Sequence, residues 1–142
     1  MIFADASALV AMLLSEPDGP ALAARLEAQR ENVWISPVVR YEVVMALAKE
    51  RAGRAGRSRL LPHDIADAGR ALDALLAKVD AREASITPEV GRLALDAAAR
   101  FGKLSGHPAR LNMGDCLAHA CARSLGATLL YKGEDFARTD LA

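Results

Sequence analysis

The sequence predicts an α/β domain with a mainly parallel sheet and helices on both faces. Short apolar runs alternate with longer segments of helical period, which is the pattern of strands joined by helical crossovers. Two of the longer segments open on a capping hydroxyl followed by proline, Ser36-Pro37 and Thr87-Pro88, the pairing that starts a helix. The opening run, Met1 to Ala4, is apolar throughout, as a buried strand requires. At 142 residues the chain fits a single domain spanning 1–142, and its 52% hydrophobic and 25% charged residues are ordinary for a globular protein.

The elements follow in order. Met1–Ala4 is the first strand, ending at Asp5, and Ser7–Leu14 is a short apolar helix. Glu16-Pro17-Asp18-Gly19-Pro20 is a turn, with Pro20 opening a helix to about Arg30. Val33-Trp34-Ile35 is the second strand, and Pro37 leads a helix to about Arg51. Ala52–Arg59 has no apolar period and reads as a loop; the next helix covers Pro62 to Lys78. A short strand lies near Glu83–Ile86, and the helix after Thr87 ends near Phe101-Gly102. Beyond a loop at Gly106-His107-Pro108, Asn112 caps a helix from Met113 to Leu125, which Gly126 terminates. Thr128–Tyr131 is the last strand, followed by a tail that holds Gly133-Glu134-Asp135-Phe136.

Eighteen basic and eighteen acidic residues give zero formal net charge. That excludes nucleic-acid binding through bulk charge, so an RNA substrate would have to be held by local patches and bound metal. Cys116 and Cys121 lie five apart in one predicted helix, about 500° of rotation, and point to different faces. They read as buried thiols in a reducing cytosol. The N-terminus lacks a basic region and carries Asp5 within its apolar run, and no stretch reaches the ~20 residues of a membrane span. A cytoplasmic protein is expected.

Three carboxylates are out of place for a plain scaffold. Asp5 stands at the carboxyl end of the first strand, where open parallel sheets place their sites; capping the next helix is the competing reading. Glu42 falls about 40° inside the roughly 180° arc formed by Val38, Val39, Val43, Ala46 and Leu47. An acid within an apolar stripe is costly unless paired or bound to metal. Asp115 is the third residue of its helix, where it completes a cap and is held ionised by the helix dipole. Asp96, by contrast, lies outside its helix's apolar stripe and reads as solvated surface. Asp135 and its neighbour Glu134 compete for a fourth position, which spacing does not decide. Carboxylates converging in one pocket need a counter-charge, and hard oxygen ligands suit Mg²⁺ or Mn²⁺.

The opening Ile2-Phe3-Ala4-Asp5-Ala6-Ser7-Ala8-Leu9, Arg40-Tyr41-Glu42-Val43, and Leu111-Asn112-Met113-Gly114-Asp115-Cys116-Leu117-Ala118-His119-Ala120 are blocks of a recognisable kind. With Leu130-Tyr131-Lys132-Gly133-Glu134-Asp135-Phe136 and Thr139-Asp140-Leu141, they resemble the PIN-domain ribonucleases, and within them the VapC-like toxins of type II toxin–antitoxin systems. The resemblance spans nearly the whole chain. It implies an endoribonuclease with a Mg²⁺ or Mn²⁺ site, a five-stranded parallel sheet, a homodimer, and neutralisation by a small antitoxin. By the same resemblance Asp5, Glu42 and Asp115 match the family's acids, and Ser7 matches the hydroxyl beside the first. Asp5 and Asp115 would hold the metal, and Asp135 is the fourth acid.

Other chemistries are set aside. Asp5-Ala6-Ser7 lacks the second aspartate of an aspartyl-phosphate enzyme, and neither a phosphate-binding glycine loop nor a G-x-S-x-G elbow occurs. His63 and His107 have no zinc-site spacing. His119 shares a helix face with Asp115 and reads as lining the core. Arg51, Arg54, Arg57 and Arg59 read as a solvated loop, with a grip on RNA phosphates as the alternative. A non-catalytic RNA- or protein-binding module and a nuclease of routine RNA processing are the competing functions.

Overall fold

A computed structural model describes residues 1–141. Four strands form one sheet of parallel neighbours, in the order β3-β2-β1-β4: β1 is Ile2–Ala4, β2 Val33–Ile35, β3 Arg82–Glu83 and β4 Thr128–Leu130. The helices are α1 (Ala6–Leu13), α2 (Gly19–Glu27), α3 (Pro37–Arg54), α4 (Pro62–Lys78), α5 (Pro88–Phe101) and α6 (Met113–Leu125). Ile2, Phe3 and Ala4 are all buried. Successive residues of a strand face opposite ways, so both faces of the central strand are covered by helices. The buried cluster is continuous, with Phe3, Leu9, Ile35, Leu72 and Leu130 among its largest members.

Connections from β1 lead through β2 to β3 on one side, while β4 returns to the other side of β1. Such a reversal opens a crevice at the carboxyl ends of the strands. Asp5 follows β1 there, and its amide donates to Leu130 O at the end of β4 (2.9 Å).

The structure departs from the sequence-based expectation in three places. The sheet has four strands among the described residues, not five. After β4, Gly133 adopts φ +95°, and the tail uses its backbone groups in turns: Ala137 N donates to Glu134 O (3.2 Å) and Thr139 N to Phe136 O (3.1 Å). Phe136, 1% exposed, pins those turns to the core. The third strand is also shorter than expected, because Thr87 already caps α5 through Val90 N (3.2 Å).

Third, Ala52 is not in a loop. It is 2% exposed, and that burial carries α3 on to Arg54. The arginine segment is consequently spent on structure. Arg51 pairs with Asp67 and Arg54 with Glu50, each at 2.8 Å. Arg57 forks onto both oxygens of Asp64 (2.7 and 2.8 Å). Asp64 is buried at 2% exposure and also accepts Leu61 N–H (2.8 Å). The Arg57 guanidinium holds its carboxyl well below the usual range. Of the four arginines, Arg59 alone has no ion pair among the described residues.

Cys116 and Cys121 are buried free thiols, as read from the sequence. No helix among the described residues is long and apolar enough to cross a membrane.

Candidate active site

Asp5 is both the end of β1 and the cap of α1. Its Oδ2 accepts the amide (2.9 Å) and the hydroxyl (2.6 Å) of Ser7. Ser7 Oγ in turn accepts Lys132 N–H beyond β4 (3.0 Å), so one hydroxyl ties together the ends of the two adjoining strands. Asp5 thus caps a helix while standing at the carboxyl end of β1. Only Oδ2 is engaged; Oδ1 has no hydrogen-bond partner among the described residues. Asp5 is 4% exposed. Burial raises its pKa, Ser7 and the Ala6 amide oppose that rise, and the charge of Asp135 adds to it.

Glu42 enters from α3, whose first turn is fixed by Ser36 Oγ accepting Val39 N–H (3.3 Å). Its carboxylate lies against the backbone of α6 at Gly114. A Cβ built on Gly114 would meet Glu42 Oε1 in outright overlap, with Cδ at 2.7 Å and Oε2 at 3.0 Å. Glycine here leaves room for the carboxylate, which takes up the volume of a side chain. Glu42 makes no hydrogen bond among the described residues. Its pKa is pushed up to about 7, first by burial and then by the charges of Asp5 and Asp115.

Asp115 follows immediately on α6. Asn112 Oδ1 accepts Asp115 N–H and Asp115 Oδ2 accepts Asn112 N–H, both at 2.9 Å. This reciprocal box fixes the helix start and points the acid at the crevice. Burial raises its pKa to about 6 against the Asn112 hydrogen bond, with Asp5 and Asp135 contributing repulsion. Asp135 is itself exposed on the tail, yet its charge is felt by both Asp5 and Asp115. Glu134 lines the same cleft as Asp115 and Asp135 but contributes no comparable influence on the buried acids. Asp5, Glu42 and Asp115 therefore meet, with Asp135 at their edge.

Proton affinities raised first by burial and then by mutual repulsion are the signature of a site short of positive charge. No three His, Cys, Asp or Glu side chains among the described residues are grouped closely enough to hold a metal ion by themselves. Carboxylate oxygens are hard donors, the chemistry that a divalent cation takes when waters complete its shell.

His119 keeps to the core, as expected: it is 1% exposed, its ring lies 5.6 Å from Phe101, and Nε2 is 2.7 Å from Asp140 Oδ1. Asp140 is the residue that sequence reasoning passed over. Its Oδ2 accepts from both Arg100 and Arg123 (2.9 Å each), so it clasps the tail to α5 and α6 close behind Asp135. Its signal in the sequence was slight, an acid after Thr139 in the last tail segment. Lys132, quoted within a matching block, was likewise given no role. Its Nζ pairs with Glu16 (2.9 Å) and fastens the turn after α1 to the end of β4.

Comparisons with known proteins identify the family. The family model described as "PIN domain" matches residues 2–141. A VapC ribonuclease of Rhizobium meliloti is 44% identical over 145 residues, covering 99% of each chain. Ribonuclease VapC42 of Mycobacterium tuberculosis is 34% identical over 137 residues, covering 96% of this chain and 94% of that one. Among solved structures, the Mycobacterium tuberculosis toxin VapC20, which cleaves the sarcin-ricin loop, superposes with a TM-score of 0.69 at 20% identity and covers 100% of this chain and 97% of its own. VapBC2 of Rickettsia felis, bound to a DNA fragment from its promoter, gives 0.69 at 17% identity over 99% of this chain and 95% of that one. The chain belongs to the PIN-domain family, among its VapC ribonucleases.

Proposed function

We propose that the chain is a Mg²⁺- or Mn²⁺-dependent endoribonuclease and the toxin of a toxin–antitoxin pair. The observation that carries the reading is the meeting of buried Asp5 with half-buried Glu42 and Asp115. Each is raised in pKa, and no basic side chain among the described residues neutralises them. Asp5 and Asp115 would hold the ion. A bound divalent ion supplies a water of lowered pKa and a positive charge against the phosphate. Glu42 would ligate that ion or orient the attacking water, whose proton passes to solvent. Asp135 orients that water from the edge of the cleft. The water oxygen bonds to phosphorus as the P–O3′ bond breaks and O3′ takes a proton from solvent, leaving a 5′-phosphate and a 3′-hydroxyl. Ser7 keeps the Asp5 carboxylate in one rotamer throughout.

Partners belong to the same reading: RNA as substrate, a small cognate antitoxin, and a second copy of the chain. What supports partners is an apolar cleft of about 570 Å³ between α5 and α6. Leu95, Leu104 and Met113 stand exposed beside it at 72%, 102% and 77%. Exposed apolar clusters of this kind commonly mark interaction surfaces.

Purified protein is to be incubated with total cellular RNA in Mg²⁺ or Mn²⁺, with EDTA and Asp5→Asn as controls. Discrete fragments that require both metal and Asp5 are expected. Absence of cleavage by a folded, metal-loaded, antitoxin-free sample would leave a non-catalytic binding module. Growth arrest on expression, relieved by a small neighbouring gene product, separates a toxin from a nuclease of routine RNA processing.

A further inference from the structure

We infer that Lys103, Arg110 and Arg138 form a phosphate-binding rim that holds a single RNA strand beside the acid cluster; the inference rests on the ribonuclease reading above. A chain of zero net charge must concentrate cations locally to hold a polyanion next to several carboxylates. Half of its eighteen basic residues are already held in ion pairs, including Arg51, Arg54 and Arg57. The patch most visible in the sequence is therefore spent.

The three cations named here are different. They line one cleft of about 330 Å³ together with Asn112, Asp115 and Asp135. None has an ion pair or a side-chain hydrogen bond among the described residues, although three carboxylates line the same cleft. Their charge stays available to a ligand, and the cleft runs directly into the acid cluster through Asp115.

The backbone that carries them is built rather than loose. Lys103 N donates to Leu111 O (3.0 Å) and Leu111 N to Phe101 O (3.1 Å), closing the loop between α5 and α6. Within that loop Arg110 is held at φ +54°. Its amide donates to His107 O (3.0 Å), and Ala109 N donates to His107 Nδ1 (3.0 Å). His107 packs edge-on against Phe101 at 5.3 Å. Arg138 stands on the tail between Phe136 and the Asp140 clasp. Two cations on the loop and one on the tail thus flank the acids, where they offset repulsion of the strand and set its path across the site. Contacts of this kind hold the backbone without reading the bases.

The test combines binding and cleavage of a fluorescent single-stranded RNA. Binding is measured in the Asp5→Asn chain, with and without Lys103→Gln, Arg110→Gln and Arg138→Gln together; Arg25→Gln, on α2 and outside the cleft, is the control. Cleavage is measured with the same substitutions in the otherwise native chain, and circular dichroism checks the fold. The rim variant is expected to bind at least about tenfold more weakly, with the slope of log affinity against log salt reduced by about 2 for three lost single-strand contacts. Its KM should rise while kcat is kept. An affinity and salt slope equal to the parent's, in a protein that still cuts, overturns the rim and leaves the nuclease. Rim-dependent binding by a native chain that never cuts overturns the nuclease and leaves the rim. A native chain that neither cuts nor binds RNA overturns both.

Discussion

At the scale of single residues, the most informative contact is between Glu42 and Gly114. Glycine within a helix costs up to about 1 kcal/mol relative to alanine, and here that cost makes room for a carboxylate. Gly114→Ala is expected to leave stability within about 1 kcal/mol, the helix gain offsetting displacement of a flexible acid. Cleavage should fall at least about tenfold, because a shift of an ångström or less at such a site is costly. Unfolding curves and single-turnover rates check both halves. Glu42→Gln has a distinct signature. Without metal, the folded chain holds the Glu42 proton to about pH 7, against a value of 4.5 when unfolded. Folding is thus favoured by this group below pH 4.5, and that contribution is lost as pH rises through 7. In EDTA at pH 8 the glutamine variant should be the more stable by about 1–2 kcal/mol after solvent screening, the difference closing toward pH 4.5. A variant less stable than the native chain at pH 8 would show that Glu42 has a counter-charge after all.

At the scale of elements, helices were the legible part of the sequence. Ser36-Pro37, Thr87-Pro88 and Asn112 with Asp115 all mark true starts, because capping is settled within one turn of chain. Glu42 was legible for a related reason: its misfit with the apolar stripe of α3 is a local property. Gly114, which makes room for that acid, was not, since the demand for glycine comes from another helix. The extent of α3 was misjudged because Ala52 is buried by tertiary packing that periodicity does not record. The tail was the least legible element. Its position depends on Asp140 reaching Arg100, His119 and Arg123, 17 to 40 residues away in sequence. Asp140→Ala leaves a buried imidazole nitrogen without its partner and should cost about 1–3 kcal/mol. Hydrogen exchange should quicken in the turns at 134–139, and Asp135 should lose its fixed place. Unchanged protection there would mean that Phe136 alone holds the tail.

At the scale of the whole molecule, the sheet order brings four acids from separate parts of the chain to one crevice, and the fold bears their repulsion. The protein without metal is therefore below its attainable stability, a common relation between a charged site and its scaffold. Metal and proton compete for the same oxygens. The central claim is that Asp5, Glu42 and Asp115 form a divalent-cation site, and Mn²⁺ titration of the native and Asp5→Asn chains, followed by electron paramagnetic resonance at pH 8 and pH 5.5, tests it most directly. Saturable binding at pH 8 that weakens at pH 5.5, where Glu42 and Asp115 take up protons, and that disappears in Asp5→Asn, is the expected result. Equal binding by both chains, or none by either at pH 8, would contradict it.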